Sequence, residues 1–473
     1  MAEEQAPLRE VQWRQVCPWL VLFRAFGIAM DLKKLLLGAL GVLAMSAGWS
    51  ALAGIFNYAA KDTVAQQVAE VQHWPWESDQ WPAHKVSGNE RSRELLIELE
   101  NAQVSLTEAD QRTMESRFGA KRGVAILDEF VESPLGTLGQ LARNWRFVLR
   151  PVIELKRPFQ HIFEHGFGFV PAVFALACGL WAVVVWAIFG GAITRIAAVQ
   201  FARDEKIGLM DALRFSTSKF LSYAGAPVIP LFFVAFFTLL CMAGGFISWL
   251  FALVGLPGLG AIFSGSLWVL PLLAGFAMTM ILLLWSIGWP LMLSTISAEG
   301  SDSFDALSRS YAYAFQRPWH YLFYAVAATI YGSLCSFVVL LFADVVVHVS
   351  HWAVSWGGGK SLQSLLDQMF YYAPEASGWS TTLSADNVPT GARKLGAIFT
   401  GGWLYVVFML LVGFVYSYFW SASTIIYFLL RRDVDNTEIQ EVFLEGAEDD
   451  FEMPASGPAS PVVTPAGPPA AGA

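Results

Sequence analysis

Charge is scarce in this sequence, and its distribution is uneven. No Asp, Glu, Lys or Arg occurs between Lys219 and Glu299. Shorter charge-free runs lie between Lys34 and Lys61, Glu164 and Arg195, Arg317 and Asp344, and Lys394 and Arg431. Only 15% of all residues are charged, against about 25% in soluble domains, which excludes an ordinary soluble fold. Cysteine is also sparse. Cys17, Cys178, Cys241 and Cys335 form no CxxC pair, and three of them lie in apolar runs. A disulfide framework in the loops is excluded, and a cysteine zinc site is not expected. The net charge is −9 and no basic patch carries interleaved aromatics, so nucleic acid is not an expected partner.

What is present is apolar length. A bilayer core takes about 20 apolar residues per helix, and the run after Lys219 is long enough for two, with Gly255 to Gly260 as the turn. Six spans follow: 35–57, 168–191, 226–253, 267–293, 321–346 and 402–430. Backbone groups in lipid must pair within their own segment, so the spans are expected to be helices.

A stretch between spans recurs. "IGLMDALRFSTSKFL" (Ile207 to Leu221) and "SDSFDALSRSYAYAF" (Ser301 to Phe315) share Asp-Ala-Leu and a later Ser. Met210, Leu213, Thr217, Phe220 and Leu221 fall on one helical face, and Phe304, Leu307, Tyr311, Ala314 and Phe315 take the same places. Such helices are too polar to span and are expected to lie in the interface, apolar face to lipid. Asp211 and Asp305 then sit in a first helical turn, where a carboxylate suits the positive helix end. Ser216 and Ser310 leave room for another helix, and Pro227 and Pro318 release the chain into the next span.

The fold class expected is therefore an all-α integral membrane protein. It has six transmembrane helices with interfacial amphipathic elbow helices in a parallel internal repeat, plus a mainly helical extramembrane insertion. Residues 1–34 are a cytoplasmic amphipathic segment and 35–57 the first transmembrane helix. Residues 58–160 form an extracytoplasmic helical insertion whose last part, "LARNWRFVLRPVIEL", is expected to lie on the outer leaflet. Residues 161–430 form a five-helix region with two span–elbow–span repeats, 168–253 and 267–346. A third copy is split across the termini, with span 6 and span 1 closing the ring. Residues 431–452 are an acidic cytoplasmic segment with a short helix begun by the capping-box pair Thr437 and Gln440. Residues 453–473 are a Pro- and Ala-rich tail without enough apolar area to order itself.

The stretches "LFRAFGIAMDLKKLLLGALG" and "IIYFLLRRDVDNTEIQEVFLE", with the span layout between them, resemble a group of uncharacterised multi-span bacterial membrane proteins of planctomycete type. More distantly, the elbow is similar to those in the membrane-anchor domain of bacterial glycerophosphodiester phosphodiesterases. Neither resemblance implies a reaction or transfers site residues, and nothing matches that enzyme's soluble catalytic domain.

Basic residues set the orientation. Fourteen, among them Lys33, Arg203, Lys219, Arg309 and Arg431, flank one side, and Lys360, Arg393 and Lys394 occupy the two short loops of the other. Both termini are expected in the cytoplasm. The expected location is the bacterial cytoplasmic (inner) membrane, with an uncleaved first span. "WGGGKS" (Trp356 to Ser361) lacks the first glycine of a phosphate-binding loop, since Val354 stands there.

One constellation bears chemistry. "HIFEH" places His161, Glu164 and His165 at the spacing of inverted zinc peptidases. "DVVVHVSH" puts Asp344, His348 and His351 on one helical face at the exit of span 5. If spans 2 and 5 faced each other, these residues would form a divalent-metal site. The competing reading is interfacial packing of His beside aromatics, and no charged residue lies near the middle of any span. The functional expectation is a non-catalytic bundle without catalytic or cofactor-binding residues. It binds or passes a lipid or solute, or organises membrane-protein partners. The alternative is a zinc-dependent membrane enzyme or a metal transporter.

Overall fold

The structure, a computed structural model, describes residues 18–60, 148–162, 169–369 and 390–443. A 3-10 turn, Pro18–Phe23, leads into α1 (Arg24–Ala29) and the long α2 (Leu32–Ala60). Then come α3 (Arg150–Ile162), α4 (Phe169–Arg203), α5 (Leu209–Ser218), α6 (Phe220–Leu253), α7 (Pro257–Ser266) and α8 (Val269–Glu299). The chain closes with α9 (Ser303–Gln316), α10 (Pro318–Met369) and α11 (Ala392–Asp435). Among the described residues there is no strand. Six helices, α2, α4, α6, α8, α10 and α11, are long and apolar enough to cross a membrane.

Each of these helices outruns its expected span at one end or both. α6 begins at Phe220, so Pro227 lies inside it and does not release the chain as expected. Pro318 does open its helix. Trp285 Nε1 donates to the Pro227 carbonyl at 2.9 Å, which ties α8 to α6 at the proline.

The packing has an order. α4, α8 and α11 pack on one another, and α2, α6 and α10 lie outside them. After α4 the chain passes through α5 into α6, which packs on α8. After α8 it passes through α9 into α10, which packs on α11. α2, which follows the N-terminal segment, packs on both α4 and α11. Inner helices are buried mainly toward the end that carries α5 and α9, the elbow end. α8 is buried at nearly every position from Trp285 to Ala298, whereas Leu270, Leu272, Leu273, Phe276 and Leu283 are exposed. At the far end α6, α7 and α8 leave large apolar side chains such as Phe236, Trp249 and Ile262 outward.

The elbows differ from expectation in their facing. Ala212, Phe215 and Ser216 of α5 are buried, as are Ala306, Ser310 and Tyr313 of α9. Met210 and Phe304 point outward in matching positions, as do Leu221 and Phe315. Leu213 and Leu307, expected on the lipid face, are instead half-buried against the core. Asp302 caps α9 through the Asp305 amide at 2.8 Å.

The chain beyond α11 forms no helix between Thr437 and Phe443, where one was expected to begin. Asn436 takes a left-handed conformation that ends α11. The Phe443 amide then donates to the Ala298 carbonyl at 2.7 Å, satisfying an acceptor at the C-terminus of α8. Its ring covers Gly300, whose φ is +66°. The remainder of 431–452, the insertion up to Phe147 and the 453–473 tail lie outside the described residues.

α2 and α11 approach at Gly38 and Gly413. A Cβ on Gly38 would lie 2.6 Å from the Gly413 carbonyl oxygen, a backbone atom that cannot move aside. Glycine here lets two helices touch without a side chain between them. Gly413→Ala is therefore expected to lower stability by about 1–3 kcal/mol through overpacking. Gly275→Ala, with nothing within 4 Å of the new atom, should leave it unchanged. Thermal melting of the two variants in one detergent checks this, and equal melting points would refute it.

Candidate functional site

Polar side chains gather at the elbow end. Glu299, the last residue of α8, faces Arg309 Nη1 at 2.7 Å and Arg431 Nε at 3.3 Å and accepts the Tyr427 hydroxyl. Arg309 also pairs with Asp305 at 2.9 Å. The hydrogen bond from Arg309 to Asp305 raises its pKa above the ordinary arginine value, outweighing partial burial. Arg431 donates onward to the Glu441 carbonyl at 2.8 Å. Nearby, Tyr324 donates to Asp433 at 3.0 Å, and Tyr313 to Asp435. One carboxylate thus joins α8, α9, α11 and the C-terminal segment.

A second knot lies a turn deeper. Ser297 Oγ is 2.6 Å from Thr194 Oγ1 and 2.7 Å from the Tyr223 hydroxyl, and Arg195 donates to the Ser297 carbonyl at 2.8 Å. The Arg195 guanidinium stands 4.1 Å over the Phe215 ring, a cation–π contact strengthened by burial. Two lysines complete the end. Lys219 donates to the Gly300 carbonyl at 2.8 Å, and Lys33 to the Ile207 carbonyl at 2.9 Å. Gly300 is the C-cap of α8, where a cation is favoured, and Ile207 lies in the link between α4 and α5. These groups engage one another, as in a clamp. No nucleophile stands beside a base among them.

The unexpected element is α3. Its strip Val148, Val152, Leu155 and Phe159 was expected to lie on a membrane surface. It packs into the bundle instead: Val148, Leu155 and Phe159 are buried. Phe159 sits edge-on to Trp285 with centroids 5.5 Å apart and rests against Gly179, where a Cβ would be 2.5 Å from its ring. On another side of α3, Arg150 Nε donates to Glu154 at 2.6 Å, and Glu154 accepts the Tyr416 hydroxyl. Tyr416 is stacked on Trp186 at 4.6 Å. Trp186 stands halfway along α4. An ion pair therefore lies level with the middle of α4, although the long helices carry no charge there. Sequence reasoning missed Arg150, Glu154 and Tyr416, since it sought charges only within the spans. The signal was one acid in a basic helix whose apolar residues keep an i, i+4, i+7, i+11 rhythm.

Next to the start of α3 is a cavity of about 140 Å³ between α8, α10 and α11. Val148, Val152, Pro290, Ala328, Phe419 and Ala422 supply much of its wall.

The sequence-derived metal residues are placed as follows. His161 lies in the last turn of α3, and Asp344 and His348 lie in α10; the side chains of these three are not described. Glu164 and His165 fall outside the described residues. His351 is half-buried. α10, which carries span 5, packs mainly on α11, while α4, which carries span 2, packs on α2, α8 and α11. Among the described residues no three His, Cys, Asp or Glu side chains are grouped to hold a metal. Cys178 and Cys335 are buried free thiols.

Comparison with models of known protein families, with curated proteins and with solved structures finds no match.

The Glu299 cluster predicts a stability effect. Glu299→Gln leaves two arginines facing each other without the carboxylate, and breaking a buried pair this way costs about 3–5 kcal/mol. Asp305→Asn removes a half-exposed carboxylate and should cost only about 0.3–1 kcal/mol. Unfolding of both variants in detergent checks the ranking, and a mild Glu299→Gln would overturn the central role of this carboxylate.

Proposed function

We propose that this chain is a non-catalytic multi-pass protein of the bacterial cytoplasmic membrane that binds lipid and organises it or a membrane partner around a closed helical ring. That it is a multi-pass membrane protein rests on the six long apolar helices. The finer reading rests on one observation, the order of packing. Each inner helix leads through a polar elbow into an outer helix that packs on the next inner helix: α4 through α5 to α6 on α8, and α8 through α9 to α10 on α11. The third unit runs from α11 through the chain's two terminal segments to α2 on α4. Membership of the planctomycete-type group belongs to the same proposal.

Matching details support a repeat. Ala212 and Ala306 are buried alike, as are Ser216 and Ser310. Lys219 and Lys33 each stand at the start of an outer helix, Lys219 bonding the Gly300 carbonyl just past α8 and Lys33 the Ile207 carbonyl in the link after α4. The clustering of hydrogen bonds and ion pairs at the elbow end suits a scaffold. The zinc alternative rests on residue spacing alone.

Both termini are placed in the cytoplasm by the basic bias. A reporter fused after Asp433 is expected to be active only as a cytoplasmic reporter, and one inserted at Gly119 only as an exported one. The reverse at either point rejects the topology.

The elbows are placed in the interface with Met210 and Phe304 in lipid. Those residues are 73% and 68% exposed, so a substitution there disturbs little internal packing. Met210→Asp and Phe304→Asp should each lower thermal stability in lipid nanodiscs, because each draws a charge toward hydrocarbon. Wild-type melting of both variants would place the elbows in water.

A further inference from the structure

The cavity beside α3 carries an assignment of its own, which rests on the reading of the bundle as membrane-embedded. We infer that it is a binding site for the end of a phospholipid acyl chain entering sideways from the bilayer between α8 and α10.

Its depth is the first argument. Pro290 lies about ten residues before the α8 terminus at Glu299, and Ala328 about ten after the start of α10 at Pro318. At about 1.5 Å per residue, both positions are roughly 15 Å from the elbow end. Half of a hydrocarbon core of about 30 Å is the same distance. Acyl chains reach that depth and headgroups do not.

The second argument is the chemistry of the wall. Hydroxyls are present, but the main ones are already bonded to backbone. Tyr321 donates to the Ile287 carbonyl and Tyr418 to the Ala328 carbonyl, at 2.8 and 2.7 Å. Thr329 and Ser423 each bond back one helical turn, at 2.8 Å. What remains toward the cavity is mostly methyl and ring surface, with the Ser286 hydroxyl beside it. Such a wall suits hydrocarbon and offers little to a sugar or a phosphate. Size agrees: an apolar cavity of about 150 Å³ stays dry and accepts a benzene-sized hydrocarbon. The space of about 140 Å³ takes a short length of chain and not a whole lipid.

Access is the third argument. The cavity is open on one side. α10 shows Leu322, Val326 and Ile330 outward beside its cavity residues Ala325, Ala328 and Thr329. α8 and α10 are bridged there by Tyr321 and do not pack closely along their length. The rim is thus continuous with surface that the bilayer covers. Val148 and Val152 close the inner wall, so the start of α3 sets how far a chain penetrates.

The test uses the full chain in nanodiscs of phosphatidylethanolamine and phosphatidylglycerol. These are doped with a phosphatidylglycerol bearing a diazirine near the end of one acyl chain. After irradiation, labelled residues are mapped by mass spectrometry. Label is expected on Val152, Ala328 or Ala422, and also on outward residues such as Phe236 and Leu239. Ala328→Leu with Ala422→Leu fills the cavity and should abolish the interior label while leaving the outward label intact. If that pair fails to fold, Ala325→Leu at the half-buried rim gives the same readout.

Outward label with none in the cavity overturns the site but leaves the membrane reading standing. No label anywhere overturns the membrane reading as well. Interior label that survives filling overturns the site. So does interior labelling by a diazirine fatty acid where the phospholipid gives none, since the occupant is then a free acid.

Discussion

Glu299 is the point on which α8, α11, one elbow and the C-terminal segment converge. It terminates α8, holds Arg309 of α9 and Arg431 of α11, and accepts Tyr427. Lipid tails are as apolar as leucine, so hydrophobicity does not pull helices together in a bilayer. Close packing there depends on small residues, hydrogen bonds and ion pairs. The protein uses all three: Gly38 on Gly413 midway along α11, and at the elbow end the Ser297 knot and the arginine-flanked carboxylate. The consequence is a tapered bundle. Helices are buried where polar groups bind them and splay where they carry only Phe, Leu and Trp.

The same clamp also fastens the C-terminal segment. Arg431 bonds the Glu441 carbonyl, and two residues later Phe443 caps the Ala298 carbonyl. About four turns earlier on α11, Ser417 donates to the Ala29 carbonyl at 2.8 Å, just before α2 begins. The C-terminal segment and the N-terminal segment each fasten to an inner helix.

Much of this was legible. Charge-free runs gave the six apolar helices, because the cost of an unpaired backbone group in lipid leaves a helix as the local solution. Asp305 was readable as a first-turn acid, and the elbows as short polar helices between long apolar ones. Their facing was not readable. Leu213 and Leu307 turn partly inward because Ala212, Ser216, Ala306 and Ser310 let each elbow lie close to its inner helix. A hydrophobic-face rule assigns large residues to lipid and cannot weigh a small-residue contact against them. The helix expected after Thr437 failed for a different reason. The capping pattern is local, while the bonds that shape 436–443 come from Arg431 and Ala298, distant in sequence or in the fold. The metal residues meet a limit of another kind: the spacings of His161, Glu164 and His165 and of Asp344, His348 and His351 do not say which helices are neighbours, and Glu164 and His165 lie outside the described residues.

The hardest feature to foresee was a charged pair level with the middle of α4, supplied from outside the spans. A lone carboxylate at the centre of a bilayer costs about 2.5–3.5 kcal/mol on insertion scales. Glu154 does not enter alone. Arg150 lies one turn before it, so α3 carries a neutral pair, and Tyr416 donates to the carboxylate. Stacking on Trp186 holds that tyrosine in place. Phe159 and Leu155 meanwhile bury the opposing strip. The pair and the strip are both needed. Without the strip α3 has no reason to leave the interface, and without the pair the cost of burying Glu154 would oppose its entry. Residues 148–162 therefore belong to the bundle by chemistry, although by sequence they belong to the insertion.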